Sequence, residues 1–369
     1  MNQAGKDGDV RIDSTLGAKG ALCVGYALMS AVDGIGVAVA LLAVKYGFSS
    51  AVQGSIPPLV FVWFLLFSVP AGALCERFGR RRVAVGALAA TVVAMFLPLS
   101  VPIGLSPACV YAATFALLGV ANIALQVALP PLVASVSPPG SAAGRVMGCL
   151  AVKTAAAAAI PFLFAACERA SGSWELAFPI AGAVAAATAF VLARVRMPQA
   201  TGSASRPGFF GALGMLRDPV VAAVVFCFAL GVCQDVWLNL AMPGMLCGYY
   251  GWAGARLGLG ASVYFAAKIP AMAVGAVLLP RFRPWAFAAP GVAAVAVGVA
   301  VLCLAPPVPL FFAALLLVSF GSANFYGVAF GVLAAHRPDR LDALSALLVM
   351  SISSGALVAP VMSVLGGFD

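Results

Sequence analysis

Four ionisable side chains, Asp33, Lys153, Asp235 and Lys268, lie deep inside long apolar runs of this 369-residue chain. A charge at the centre of a membrane helix costs about 2.5–3.5 kcal/mol, so none of the four should face lipid. Two acids and two bases can neutralise one another, and the simplest assignment pairs Asp33 with Lys153 and Asp235 with Lys268. A carboxyl in a low-dielectric site has its pKa raised towards neutrality, as a group that takes up and releases protons requires. Asp33 and Asp235 are therefore proton-coupling candidates, and Lys153 and Lys268 charge-pair candidates. Permanent ion pairs that orient a helix bundle are the competing structural reading.

Uncharged polar groups accompany the charges. Asn122 and Gln126 are four apart and so share one helix face. Asn239 lies four beyond Asp235, and Asn324 sits in a similar apolar run. Amides donate and accept together, which suits the hydroxyls of a sugar better than an apolar drug. Trp63 and Trp237 offer surfaces on which a sugar ring could stack. These six form a candidate substrate cavity; interhelical hydrogen bonds worth about 0.6 kcal/mol each, and simple packing, are the alternatives.

The elements that must position these groups follow from composition. With 63% hydrophobic residues, 9% charged residues and a mean hydropathy of +1.07, the chain is not a soluble globular protein. Apolar runs of about 20 residues, each able to cross a core of roughly 30 Å, recur along it. The expected spans are 19–44, 51–76, 82–101, 107–136, 142–167, 174–195, 218–246, 254–280, 284–305, 308–334 and 341–366. The first follows a polar N-terminus and extends past Val44 without a cleavage site, so it reads as a retained span. Nine cysteines are scattered without a CxxC pair, mostly in apolar runs where they act as small packing residues. The single histidine, His336, sits in a polar connection, so no metal site or cofactor is expected.

Charge distribution sets the topology. With the N-terminus on the cytoplasmic side, the inside segments hold sixteen of the 21 lysines and arginines, the outside connections three (Lys45, Arg169 and Arg256), and the apolar runs two. The net charge of +9 thus reads as the positive-inside rule, and not as a nucleic-acid surface.

An internal repeat at an offset of 202 residues places Asp33 on Asp235, Gly119-Val120-Ala121-Asn122 on Gly321-Ser322-Ala323-Asn324, and Arg81 on Arg283. Residues 1–195 are expected to form a six-helix half and 196–217 a cytoplasmic linker. Residues 218–369 should form a second half with five of its six helices. The same offset would put a twelfth span near 376–397, past Asp369, so that helix is expected to be missing through truncation, with an eleven-span protein whose C-terminus lies outside as the alternative.

Between the second and third spans stands Gly72-Ala73-Leu74-Cys75-Glu76-Arg77-Phe78-Gly79-Arg80-Arg81-Arg82. It resembles the loop signature of the major facilitator superfamily, Gly-x-x-x-Asp-Arg-x-Gly-Arg-Arg, with Glu76 for the aspartate. Gly72, Glu76, Arg77, Gly79, Arg80 and Arg81 are accordingly candidates for a cytoplasmic gating loop, with a pure topology signal as the alternative. Ser30-Ala31-Val32-Asp33, the stretch from Phe61 to Gly72, Leu125-Gln126-Val127-Ala128-Leu129-Pro130, Gly231 to Leu240 and Gly260 to Lys268 resemble the fucose–galactose–glucose/proton symporter branch. That resemblance implies an all-α polytopic fold of two six-helix halves and gives Asp33 a role in sugar binding and proton coupling. The branch's fourth-span glutamate is here Gln126, which cannot titrate, so coupling would rest on Asp33 and Asp235.

No phosphate-binding loop, His-Glu-x-x-His or Gly-x-Ser-x-Gly motif is present, so neither ATP-driven transport nor an enzyme is expected. The expectation is a monomeric, multi-pass transporter of the bacterial inner membrane. It would move a small hydrophilic solute, most simply a monosaccharide, by alternating access, driven by an ion gradient with protons as the candidate coupling ion, or by facilitated diffusion. Efflux of amphipathic compounds and a non-transporting nutrient sensor are the rival functions.

Overall fold

The computed structural model describes residues 14–136, 142–195, 214–278 and 284–337, with scattered helical positions between 344 and 358. Among the described residues twelve continuous α-helices follow in order, some of them joined by short 3₁₀ turns. They are α1 (Ser14–Met29), α2 (Ile35–Tyr46), α3 (Ser50–Phe78), α4 (Arg80–Phe96), α5 (Pro107–Ser135), α6 (Ala142–Ser171) and α7 (Ala177–Arg194) in the first half. In the second half they are α8 (Pro219–Tyr250), α9 (Leu259–Leu278), α10 (Pro284–Cys303), α11 (Val308–Ser322) and α12 (Phe325–His336).

Among the described residues, eight helical segments are long and apolar enough to cross a membrane. A ninth span is made by α1 and α2 together, bent by 49°. A shorter apolar helix, Ala288–Cys303, stands where the ninth span was expected. Most of the eleventh expected span, 341–366, lies outside the described residues, as does 196–213 of the expected linker. The first span is therefore not the continuous helix that its hydropathy suggests; it is broken around Asp33.

Packing differs between the two ends of the bundle. At the end away from the basic loop, the halves share one apolar core in which Ile35 and Leu42 of α2 join Leu238 and Leu246 of α8 and Tyr264 of α9. Two approaches seal this end. A Cβ on Gly36 would lie 2.6 Å from the Asn239 carbonyl oxygen, and one on Gly258 would strike the ring of Pro161. At the basic-loop end each half has its own core: Leu22, Leu88, Leu125 and Leu129 in the first, Val221, Phe228, Leu333 and Leu344 in the second.

Candidate functional site

Asp33 owes its setting to the residues around it. Ser30 folds its hydroxyl back onto the Ala27 carbonyl at 2.6 Å, and the Asp33 amide donates to the Ser30 carbonyl at 2.8 Å, which tightens the chain into a 3₁₀ turn. Gly34 follows, a poor helix former that also lets the turn approach α6, where a Cβ would meet Ile160 at 2.9 Å. The helix then restarts at Ile35.

A break inside a bilayer leaves backbone carbonyls that only protein groups can satisfy. Two asparagines do so. Asn122 of α5 donates to the Met29 carbonyl at 2.7 Å and is oriented by Gln126, whose amide donates to Asn122 Oδ1 at 2.8 Å. Asn239 of α8 donates to the Asp33 carbonyl at 2.7 Å, and that bond joins the two halves. The carboxylate of Asp33 pairs with Lys153 of α6, whose Nζ stands 3.1 Å from Oδ2 and 3.4 Å from Oδ1.

Asp235 sits in an unbroken helix. Its Oδ1 receives Lys268 Nζ and the Tyr264 hydroxyl, both from α9. Tyr264 is fully buried; its hydroxyl is also 3.1 Å from Ser322 Oγ, and its carbonyl accepts from Ser319 at 2.6 Å. The Lys268 ammonium lies 4.6 Å from the centre of the Tyr264 ring, a cation–π contact that adds to the pair. Asp235 is thus braced by three spans.

Both carboxylates reach one small cavity between the halves, about 50 Å³ in volume and walled also by Asn239, Phe61, Phe265 and Val32. The polar side chains of the wall are two carboxyls and one amide. Asn239 gives one of its two amide hydrogens to the Asp33 carbonyl, and its Oδ1 is buried without a partner among the described residues. Tyr264 and Lys268 both engage Oδ1 of Asp235, and neither Lys153 nor Lys268 is among the residues that line the cavity. The polar side chains of the wall are therefore richer in acceptors than in donors.

The remaining expected residues fall elsewhere. Trp63 is half-buried and rests against Gly119, with its Cδ1 3.2 Å from where a Cβ would stand; Trp237 is half-buried in the shared core. The aromatic rings on the cavity are instead Phe61 and Phe265, two and three residues from motif positions already singled out. Asn324 donates to the Ala271 carbonyl at 2.8 Å and stands where α11 gives way to α12.

In the basic loop, Gly79 has φ 86°, a conformation that glycine adopts freely, and it ends α3 and starts α4 in one residue. Arg81 donates through Nε to the Leu192 carbonyl at 2.9 Å and through Nη2 to that of Ala193, capping the C-terminus of α7. The Arg77 guanidinium lies 5.3 Å from the Phe78 ring centre. Arg80 opens α4, and a Cβ on Gly72 would meet nothing within 4 Å. The side chain of Glu76 and the whole of Arg281 and Arg283 lie outside the described residues.

One cluster had no counterpart among the expected sites. Glu175, at the end away from the basic loop, accepts from Tyr46 and Tyr111 at 2.6 Å each and pairs with Lys45. The available signal was topological: Lys45 closes the first span and Glu175 opens the sixth, so both belong at one end. Among the described residues no group of three His, Cys, Asp or Glu side chains could hold a metal ion.

Comparison with known proteins places this architecture. The family model described as Major Facilitator Superfamily matches residues 22–360. No curated protein sequence matches the chain significantly. The fold is similar to the nucleoside transporter NupG, with TM-score 0.72 and 11% identity over 95% of this chain and 90% of that one. It is also similar to a bacterial homolog of the human lysosomal transporter Spinster, in an inward-facing and unoccupied conformation (TM-score 0.71, 16% identity, 96% of this chain and 82% of that chain). The E. coli fucose:proton symporter FucP is another such neighbour, at TM-score 0.65 and 17% identity over 96% and 92% of the two chains. Identities this low carry the fold alone, and the fucose symporter is not favoured over the others.

Proposed function

The chain belongs to the major facilitator superfamily and is a secondary transporter; we propose that it carries a small hydroxyl-rich solute, most simply a monosaccharide, by alternating access. The observation that carries this reading is the acceptor-rich wall: the two carboxyl-bearing residues Asp33 and Asp235 line the cavity with the single amide of Asn239, while Lys153 and Lys268, which pair with the carboxylates, are not among the lining residues. Such a wall rewards a ligand rich in O–H donors and repels phosphate or carboxylate anions. Phe61 and Phe265 supply apolar surface for one face of a ring. A ribose would meet the same groups as a hexose, so a nucleoside belongs in the test.

At about 50 Å³ the cavity has room for one or two waters, so a sugar enters only when the halves part. The shared core at one end and separate cores at the other support a state sealed away from the basic loop. We place the basic-loop end on the cytoplasmic side of a bacterial inner membrane, on the strength of the lysine and arginine asymmetry. That makes the present arrangement inward-facing. Asp33, beside the break and held by one lysine, is the group assigned to proton coupling.

Counterflow in proteoliposomes preloaded with fucose, galactose, glucose or uridine tests recognition without an ion gradient. Accumulation of a labelled sugar is expected, persisting in Asp33→Asn if that residue serves coupling and lost if it serves binding. Failure with every hydroxylated solute in folded protein would remove the reading. Efflux of amphipathic compounds would then take its place, favoured by the apolar side chains of Val32, Phe61 and Phe265 on the same wall.

A further inference from the structure

We propose that Cys23 and Cys149 form an oxidisable pair, a disulfide site that fastens α1 to α6 one helical turn from Lys153. Their sulfurs are 3.4 Å apart although the residues are separated by 126 positions in the chain. A disulfide needs about 2.05 Å, so closure asks for an approach of roughly 1.4 Å, within reach of small side-chain rotations. Cys149 is buried and Cys23 partly exposed, so an oxidant meets Cys23 first.

A second observation marks the same spot. The Tyr26 hydroxyl is buried with no hydrogen-bond partner among the described residues, and Tyr26 packs in the same cluster as Cys23 and Cys149. A buried hydroxyl without a partner is costly in an apolar setting. An oxygen placed on the Cys23 sulfur would give that hydroxyl an acceptor.

The chemistry balances with a peroxide as oxidant. The Cys23 thiolate attacks one peroxide oxygen, the O–O bond breaks, and water leaves with the thiol's proton, giving Cys23 sulfenic acid. The Cys149 sulfur then attacks the Cys23 sulfur; the S–S bond forms, the S–O bond breaks, and the second water departs with the Cys149 proton. Two thiols and one hydrogen peroxide yield one disulfide and two waters.

The position gives the bond a consequence. Cys149 and Lys153 are four apart on α6 and share a face. Cys23 lies in α1, on the other side of the break from α2. A covalent tie between α1 and α6 would fix that contact while the Asp33–Lys153 pair sits at the break, so oxidation restrains the first span where it must flex. Nothing in this depends on which solute is carried.

The test uses the full chain in lipid nanodiscs, treated with hydrogen peroxide, alkylated, digested and read by mass spectrometry. The expected result is a Cys23–Cys149 linked peptide, loss of two alkylation sites per chain, a raised melting midpoint, and reversal of all three by dithiothreitol. Cys23→Ser and Cys149→Ser should each abolish the link. Tyr26→Phe keeps both thiols and should slow bridging several-fold. Retention of both alkylation sites, sulfinic acid on Cys23 without a bridge, or a bridge between other cysteines would overturn the proposal, and the wild-type chain alone decides among these.

Discussion

Asp33 and Asp235 occupy corresponding places in the two halves and reach the same cavity, yet the backbone beneath them is different. Asp33 is followed by Gly34-Ile35-Gly36 and Asp235 by Val236-Trp237-Leu238. Two glycines weaken the first helix, whereas three bulky residues keep the seventh continuous. The acid on the broken helix has one lysine at 3.1 Å; the acid on the intact helix has a lysine and a buried tyrosine anchored to a third span. One repeat has thus produced an acid beside a hinge and an acid in a frame. The tenth span carries the opposite lesson, since it is interrupted at Asn324 while the corresponding Asn122 lies within an unbroken helix.

The comparison breaks first at the lysines. Lys268→Met would strand Asp235 in its frame and should cost roughly 3 kcal/mol of unfolding free energy. The Asp33–Lys153 pair makes fewer contacts, and Lys153→Met should cost about half as much. Denaturant unfolding in nanodiscs measures both; equal losses would erase the distinction.

Next comes the hinge itself. Gly34→Val gives the first span the residue of the seventh and drives a side chain into Ile160. An overpacking cost of about 1–3 kcal/mol is expected, with loss of transport beyond what the stability change explains. Val236→Gly, the reciprocal exchange, should weaken the seventh span by about 1 kcal/mol. Unaltered transport in Gly34→Val would show that the break is not needed.

Smaller effects separate the amides. Asn122→Ala leaves the Met29 carbonyl unsatisfied at the break and should cost about 1 kcal/mol, against about 0.6 kcal/mol for Asn324→Ala. Thermal melts of the two variants rank them.

The smallest effect lies outside the membrane. The hydrogen bond from His336, working against partial desolvation and helped by Arg337, holds the carboxyl of Asp218 down at about 2 from the ordinary 3.8. A depressed folded value means a stabilisation fully present above pH 3.8 and lost as the pH falls towards 2. Asp218→Asn should therefore flatten the stability profile between those limits.

Much of this was legible in the chain. Hydropathy located the spans, and isolated charges in apolar runs pointed to Asp33, Lys153, Asp235 and Lys268, because a bilayer tolerates so few. What periodicity could not reveal was the break at Asp33: Gly34 and Gly36 are tolerated in membrane helices, so their presence alone does not stop one. Nor could it say which of Phe61 and Trp63 meets the cavity: two residues turn a helical side chain by more than half a circle, and both faces of the second span are apolar there. Arg81 was legible as charge but not as a cap, because its acceptors are backbone carbonyls 111 and 112 residues away and leave no mark in side-chain sequence.

That cap bears on how force passes between the halves. Arg81 clamps the last turn of α7 just before residue 196, and Asp218 gathers His336 and Arg337 at the first turn of α8 just after residue 213. Both mooring points of the connecting chain are therefore stitched to distant helices of their own bundle. A pull on either mooring point would therefore load a second element of the same bundle as well as the helix end itself.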